Sequence, residues 1–291
     1  AHQRLAVIDI TGGHQPLFES EGRALVCNGE IYNDLELRDR LSNHSFRTRS
    51  DSETVLHVFD AQDAGFAGRL RGMFGFALDD PNSDTLTLSR DPFGIKPLYI
   101  ARLPEGIAFA SEPQALLGAG LVAPRINERA ISQLLQLQFI TGTACGFAGI
   151  ERLPVGAVWR LKNGELLSRH EDPFWARPLV AQAGGDAALA RFEDIFMRSV
   201  ELHMRSDVPY GLFLSGGIDS AAVLTAMSRI TDDPVLCFTA HFPGTDAADE
   251  RAQAQALVRS ASARHVEVAV TEEDFWRHLP AIAAALDDPV A

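Results

Sequence analysis

Leu214-Ser215-Gly216-Gly217-Ile218-Asp219-Ser220 lies between an apolar run, Tyr210–Leu214, and the helical pattern Ile218–Arg229. A strand that passes through a glycine pair into a helix is a junction of the parallel α/β type. The glycines let successive N–H groups turn inward, and the helix N-terminus adds partial positive charge, so the stretch reads as a nest for phosphate oxygens. Ser215 and Ser220 add hydroxyl donors, and Asp219 is placed to hold a Mg2+ that bridges the phosphates. A tight turn that needs glycine only for its backbone freedom explains the same residues. No GxxxxGK[ST] occurs, and Lys96 and Lys162 are the only lysines. A phosphate site here must therefore use N–H groups, hydroxyls, arginine or a metal, and it is not a Walker-type loop.

Strand and helix alternate on both sides of this stretch. Ala187–Met204 reads as a helix with Phe192, Ile195, Phe196 and Val200 along one side. Val235–Ala240 and His265–Val268 read as strands, with helices over Ala247–Ser260 and Pro280–Leu286. Asp172–Asp186, with Pro173, Pro178, Gly184 and Gly185, is the natural linker. Before it the rhythm is that of an antiparallel sheet with a few helices. Leu5–Ile10, Arg23–Cys27, Gly72–Leu78, Thr85–Ser89, Leu98–Ala101 and Ile107–Ala110 are strand-like. Val158–Lys162, Asn163-Gly164 and Glu165–Ser168 form a hairpin with a type I′ turn sequence. Asp34–Leu41 and Ile131–Phe139 have helical spacing, and Ser50-Asp51-Ser52-Glu53 resembles a capping box.

Cys27-Asn28-Gly29-Glu30-Ile31-Tyr32-Asn33 follows one of those strands. An Asn side-chain amide beside an uncovered glycine N–H supplies the two donors that an acyl-transfer oxyanion hole uses, although Asn-Gly is also a common turn. Cys27 alternates with Leu25, which places its thiol in the core and not at a reacting centre. Arg4 and Asp51 carry the opposite charges needed to clamp an amino acid's carboxylate and ammonium, although a solvated arginine and a capping aspartate are the default reading of the same residues. No histidine has HxxxH spacing, so a His-based metal site has little support.

Composition bounds the rest. The 291 residues carry 39 acidic and 26 basic side chains, a net charge of −13, which argues against nucleic acid or an anionic membrane as partner. No apolar run approaches the roughly 18 residues of a membrane span. Cys27, Cys145 and Cys237 are an odd, scattered set, which fits free thiols and a cytoplasmic location.

Several short motifs gain from being read together. His2–Asp9, Gly13–Leu17, Asn28–Asn33, Ser50–Glu53, Gly72–Leu78, Arg90–Tyr99 and Ser111-Glu112 occur in an order similar to the glutaminase domain of the glutamine-hydrolysing asparagine synthetases. Ser206–Gly211 followed by Leu214–Ser220 resembles the start of that family's ATP-dependent domain. The resemblance implies an αββα N-terminal-nucleophile glutaminase domain over residues 1–171, a linker over 172–186, and the front of an α/β PP-loop ATP-pyrophosphatase domain over 187–291. It implies a ligase that hydrolyses glutamine, activates aspartate as the acyl-adenylate with ATP and Mg2+, and passes ammonia through an internal channel to form asparagine, AMP, pyrophosphate and glutamate. Enclosing the adenylate guards it against water.

The resemblance also assigns roles. Asn28 and Gly29 match the oxyanion hole, Arg4 the group that holds the glutamine α-carboxylate, and Glu30 and Asp51 the groups on its α-amine. Leu5, Ala6, Val7 and Ile8 match backbone lining the same pocket. Ser215, Gly216, Gly217, Asp219 and Ser220 match the pyrophosphate loop, and Phe213, Leu214 and Ala240 match positions near the adenosine. The family's nucleophilic cysteine belongs upstream of Ala1, and its Ser-Gly-Glu-Gly-x-Asp-Glu motif does not occur. The chain is therefore expected to continue at both ends and, as written, to be inactive. A β-lactam synthetase, an amidotransferase acting on cell-surface sugars or peptides, and a non-catalytic binding fragment are the alternatives. The partners expected are small molecules, and the oligomeric state, with a homodimer one option, is left open.

Overall fold

The computed structural model describes residues 7–20, 22–60, 63, 65–176, 184–245 and 249–286. The chain divides into two compact units, with the boundary between Leu179 and Val180.

Among its described residues the first unit has nine strands: β1 Leu17–Phe18, β2 Ala24–Ile31, β3 Gly72–Asp80, β4 Thr85–Arg90, β5 Tyr99–Leu103, β6 Gly106–Ala110, β7 Glu151–Arg152, β8 Ala157–Lys162 and β9 Glu165–Glu171. They form two antiparallel sheets, β1-β2-β3-β4-β8-β9 and β6-β5-β7. The helices α1 Asp34–Arg40, α2 Glu53–Val58, α3 Pro113–Gly118 and α4 Glu128–Leu137 accompany them.

Side-chain alternation sorts these elements into four layers. On one face of the large sheet, Leu25, Cys27, Phe74, Phe76 and Leu78 join Leu37 of α1 and Val55 and Leu56 of α2. On the opposite face, Ala77, Leu88, Trp159 and Leu161 meet Ile100 of the small sheet, with Val26 and Phe109 against them. The far side of the small sheet, Tyr99 and Ala101, buries Leu116 of α3. The order is helix, sheet, sheet, helix. Cys27 is buried in the helix-facing core, as its alternation with Leu25 implied.

Most sequence-based strands are present, and the Asn163-Gly164 turn has positive φ at both residues, 51° and 77°, as a type I′ turn requires. Two expectations fail. Residues 7–10 of the expected strand Leu5–Ile10 form bends and a turn; Leu5 and Ala6 lie outside the described residues. Asp9 is the reason: its carboxylate accepts Gly12 N–H at 3.0 Å and Arg49 N–H at 2.8 Å, which closes a loop on itself. The capping box at 50–53 does not form either. The Glu53 carboxylate takes the N–H groups of Arg47 and Thr48, both at 2.7 Å, and the Thr48 hydroxyl at 2.6 Å. Ser50 N–H goes instead to Thr48 Oγ1 at 3.1 Å.

The second unit is a parallel three-stranded sheet, β10 Leu212–Phe213, β11 Leu236–His241 and β12 Arg264–Ala269, in sequential order. Helices α5 Asp186–Met204, α6 Ile218–Ile230, α7 Arg251–Ser260 and α8 Glu272–Ala285 accompany it. Val200, Leu214, Leu224, Met227, Cys237 and Val258 form its core. Strand β10 is shorter than the expected Tyr210–Leu214. It pairs with β11 through Leu212 and Phe213 only, although Leu214 N–H still reaches Phe238 O at 2.8 Å. Among the described residues no helix is long and apolar enough to cross a membrane.

Glu53 makes the first unit acid-sensitive. Burial pushes its carboxyl up, but His57, the Arg47 and Thr48 N–H groups and the Thr48 hydroxyl outweigh this and bring it from 4.5 to about 2. A depressed carboxyl adds stability that is present above its unfolded value and lost as pH falls toward the folded one. Glu53→Gln is expected to cost about 1.5–3 kcal/mol near neutral pH. Denaturation curves of wild type and variant should converge between pH 4.5 and about 2. A gap that stays constant across that window contradicts the assignment.

Candidate active site

The outer edge of β2 organises the site in the first unit. Backbone groups at alternate residues of a strand point to the same side. Leu25 pairs with Leu17 of β1. Beyond the end of β1, the Gln15 side-chain amide replaces a strand. Its Oε1 accepts Cys27 N–H at 2.6 Å, and its Nε2 donates to Cys27 O at 3.0 Å. Two residues further along the same edge as Gly29, Ile31 N–H donates to Asp51 Oδ2 at 2.5 Å.

Gly29 lies between them. It stands opposite Phe74 in β3, yet both backbone groups of Phe74 are taken by Asp91: Asp91 N–H donates to Phe74 O at 2.8 Å, and Phe74 N–H donates to Asp91 Oδ2 at 3.2 Å. Gly29 and Phe74 are thus a non-hydrogen-bonded pair, and the Gly29 N–H points away from β3 toward the open edge. Among the described residues nothing accepts it. The glycine is obligatory: φ is 153°, and a Cβ would stand 2.0 Å from Met73 O. Gly72 allows the same close approach from the opposite strand, where a Cβ would meet Glu30 O at 2.1 Å.

Asn28 points the other way, toward the small sheet. Its Nδ2 lies 3.5 Å from Ser111 Oγ, just past the end of β6. An amide nitrogen has two hydrogens, so one is available to a ligand. Acidic groups surround this corner. Tyr32 is pushed up to about 12, first by burial and then by the charges of Glu30, Asp51 and Asp91. Such a field suits an ammonium group. Asp9 ties the two sides together, since its bond to Arg49 N–H joins the Val7–Ile8 segment to the loop that carries Asp51. Ile8 is buried and Val7 half-buried. Arg4, Leu5 and Ala6 lie outside the described residues.

In the second unit, Ser215–Gly217 bridges β10 and α6, and Gly217 caps α6 without a side-chain bond. Ser215 Oγ and Ser220 Oγ are 2.9 Å apart. Ser215 N–H reaches Ser220 Oγ at 3.3 Å, and Gly217 N–H reaches Ser215 Oγ at 3.2 Å. Phe213 is 89% exposed and Ile218 83%, an apolar wall beside a polar turn. Ala240 and Asp219 are exposed, Asp219 in the first turn of α6. Among the described residues no cluster of three or more His, Cys, Asp or Glu side chains could hold a metal. Asp219 fits Mg2+ only as one carboxylate beside phosphate oxygens and water, which is how that ion is usually held.

A profile for glutamine amidotransferase domains matches residues 1–175, and one for asparagine synthases matches residues 191–291. The chain belongs to the glutamine-hydrolysing asparagine synthetase family. It is 33% identical over 298 residues to asparagine synthetase [glutamine-hydrolyzing] 1 of Bacillus subtilis, covering 99% of this chain and 46% of that protein. It is 38% identical over 303 residues to a protein of Mycobacterium tuberculosis provisionally named asparagine synthetase [glutamine-hydrolyzing], with the same coverage. The chain thus spans about half the length of these relatives. The glutamine phosphoribosylpyrophosphate amidotransferase of B. subtilis aligns at 15% identity and a TM-score of 0.38, covering 87% of this chain and 48% of that one, and adds nothing to the fold assignment. The four layers fall within the stretch that matches glutamine amidotransferase domains, and the parallel sheet within the stretch that matches asparagine synthases.

Sequence reasoning gave no role to Gln15, Asp9, Ser111, Arg90 or Asp91. The buried Asp91 carboxylate accepts four N–H groups, those of Phe74, Phe93, Ile95 and Lys96, at 3.0–3.2 Å. Arg90 donates to the carbonyls of Lys96, Leu153 and Gly94 at 2.8–2.9 Å. Their presence in the motif Arg90–Tyr99 was the one available signal. Gly29→Ala is expected to destabilise the first unit by about 2–3 kcal/mol, because it combines backbone strain with a clash. A melting temperature equal to wild type would show that β2 and β3 tolerate separation there.

Proposed function

We propose that residues 1–171 are a glutaminase domain, 172–186 a linker and 187–291 the front of a synthetase domain, and that the protein forms an amide with ammonia drawn from glutamine. The observation that carries this reading is the Gly29 N–H, a donor on the β2 edge beside the Asp51-bound Ile31 that finds no acceptor among the described residues. The glutamine side-chain carbonyl oxygen would rest on Gly29 N–H and Asn28 Nδ2. As a thiolate adds to the carbonyl carbon, charge grows on that oxygen, and donors already aimed at it stabilise the transition state. The thiol is that of the N-terminal cysteine which the family carries. Release of ammonia leaves a thioester, and water converts it to glutamate and free thiol. Asp51 and Glu30 would hold the α-ammonium, Arg4 the α-carboxylate, and Val7 and Ile8 with Leu5 and Ala6 the pocket wall.

In the second domain Ser215, Gly216, Gly217 and Ser220 would cradle the pyrophosphate of ATP at the α6 N-terminus, with Phe213, Leu214 and Ala240 near the adenosine. Bound at Asp219, Mg2+ would neutralise phosphate charge. The loop would orient the nucleotide so that an aspartate carboxylate attacks its α-phosphate and breaks the α–β phosphoanhydride bond, releasing pyrophosphate, and ammonia would then convert the acyl-adenylate to asparagine and AMP.

The full-length protein given glutamine, ATP, Mg2+ and aspartate should yield asparagine and AMP in equal amounts. Glutamate without asparagine points to another acceptor carboxylate, and neither product removes the enzymatic reading. Asn28→Ala should raise the glutaminase barrier by about 2.7–4 kcal/mol, read as a fall in kcat for glutamate release. An unchanged rate would exclude Asn28 from the oxyanion hole.

A further inference from the structure

A carboxylate reaches into the Ser215–Gly217 turn from a different element. Glu250, the residue before α7, accepts Gly216 N–H at 3.2 Å. The two backbones meet closely: a Cβ on Gly216 would lie 3.0 Å from Gln253 Cβ and 3.4 Å from Glu250 Cβ. Ser215 N–H and Gly217 N–H are bonded inside the turn, to Ser220 Oγ and Ser215 Oγ. Gly216 is thus the one loop residue whose N–H finds its acceptor outside the turn.

Among the described residues no cation pairs with Glu250. The adjacent cation, Arg251, is gripped by Asp249 at 2.6–3.1 Å and stands 3.9 Å from Glu267. Among the described residues the Gly216 N–H is the only hydrogen-bond partner of the Glu250 side chain. A carboxylate on a nest donor, beside an α6 N-terminus that has no side-chain cap, takes the place of one phosphate oxygen.

We propose that Glu250 is an internal anion of the loop. Its carboxylate keeps the Gly216 N–H oriented and must leave when a pyrophosphoryl group takes that donor. This rests on reading Ser215–Ser220 as the pyrophosphate loop. Displacement raises the threshold for binding. An anion that replaces a single bond gains little, whereas pyrophosphate, with several oxygens for several donors, gains enough. Glu250 lowers the affinity of every anion that takes the Gly216 donor by one common factor, set by the fraction of loops in which that donor is free.

The test is calorimetric titration of the full-length protein with inorganic pyrophosphate, without divalent cation. Wild type is compared with Glu250→Gln, Glu250→Ala and Glu201→Gln, the last removing an exposed carboxylate on α5. Both Glu250 variants should bind about fivefold tighter than wild type, and Glu201→Gln within about twofold of it. Equal or weaker binding by the Glu250 variants, or the same gain in Glu201→Gln, overturns the proposal and leaves the loop as a pyrophosphate site. No binding by any of the four proteins overturns the loop reading itself.

Discussion

The close approach of β2 and β3 at Gly29 and Gly72 is the constraint on which the first unit's site depends. A side chain at either position would collide with the carbonyl of the facing strand, at 2.0 and 2.1 Å. With both glycines in place the strands stay in register from Ala24 to Ile31, and Asp91 can bind both backbone groups of Phe74. The result is directional. Gly29 must turn its N–H away from the sheet, into an edge where Gln15 and Asp51 have already satisfied the neighbouring donors. Among the described residues this leaves one donor without an acceptor in a row of satisfied ones, and such groups are costly to leave without a partner.

The second unit reaches a comparable end by other means. A parallel βαβ junction aims a helix N-terminus at the end of its sheet, and a glycine pair lets neighbouring segments come near. Two features set this loop apart from a bare turn: the bond between its serine hydroxyls and the approach of α7 through Glu250. Both are polar arrangements that phosphate oxygens would replace or extend.

How much of this was legible in the sequence followed the range of the forces involved. Elements set by local pattern were clear: the Asn163-Gly164 hairpin, the α6 helix after Gly217, and the buried Cys27 that alternates with Leu25. Errors arose where a single carboxylate overrode the local pattern. Asp9 converts an apolar, strand-like run into a turn by reaching Arg49, 40 positions away. Glu53 gives up a capping box because residues 47 and 48 offer three better donors, two backbone N–H groups and the Thr48 hydroxyl. At the candidate site, Asn28 and Gly29 could be singled out from residue chemistry. Gln15, Ser111 and Asp91 could not, since their roles exist only once distant segments meet. Glu250 is 34 positions from its partner and carries no motif that would have marked it.

The proposed function requires separate ligand sites in the two units, with glutamine at the β2 edge and nucleotide at the turn before α6. Amide 1H–15N spectra of the full-length protein test this most directly. Titration with L-glutamine should move the Gly29 backbone and Asn28 side-chain resonances and leave Gly216 and Gly217 in place, and titration with ATP should do the reverse. Shifts confined to other residues, or glutamine acting on the Gly216–Gly217 turn, would contradict it.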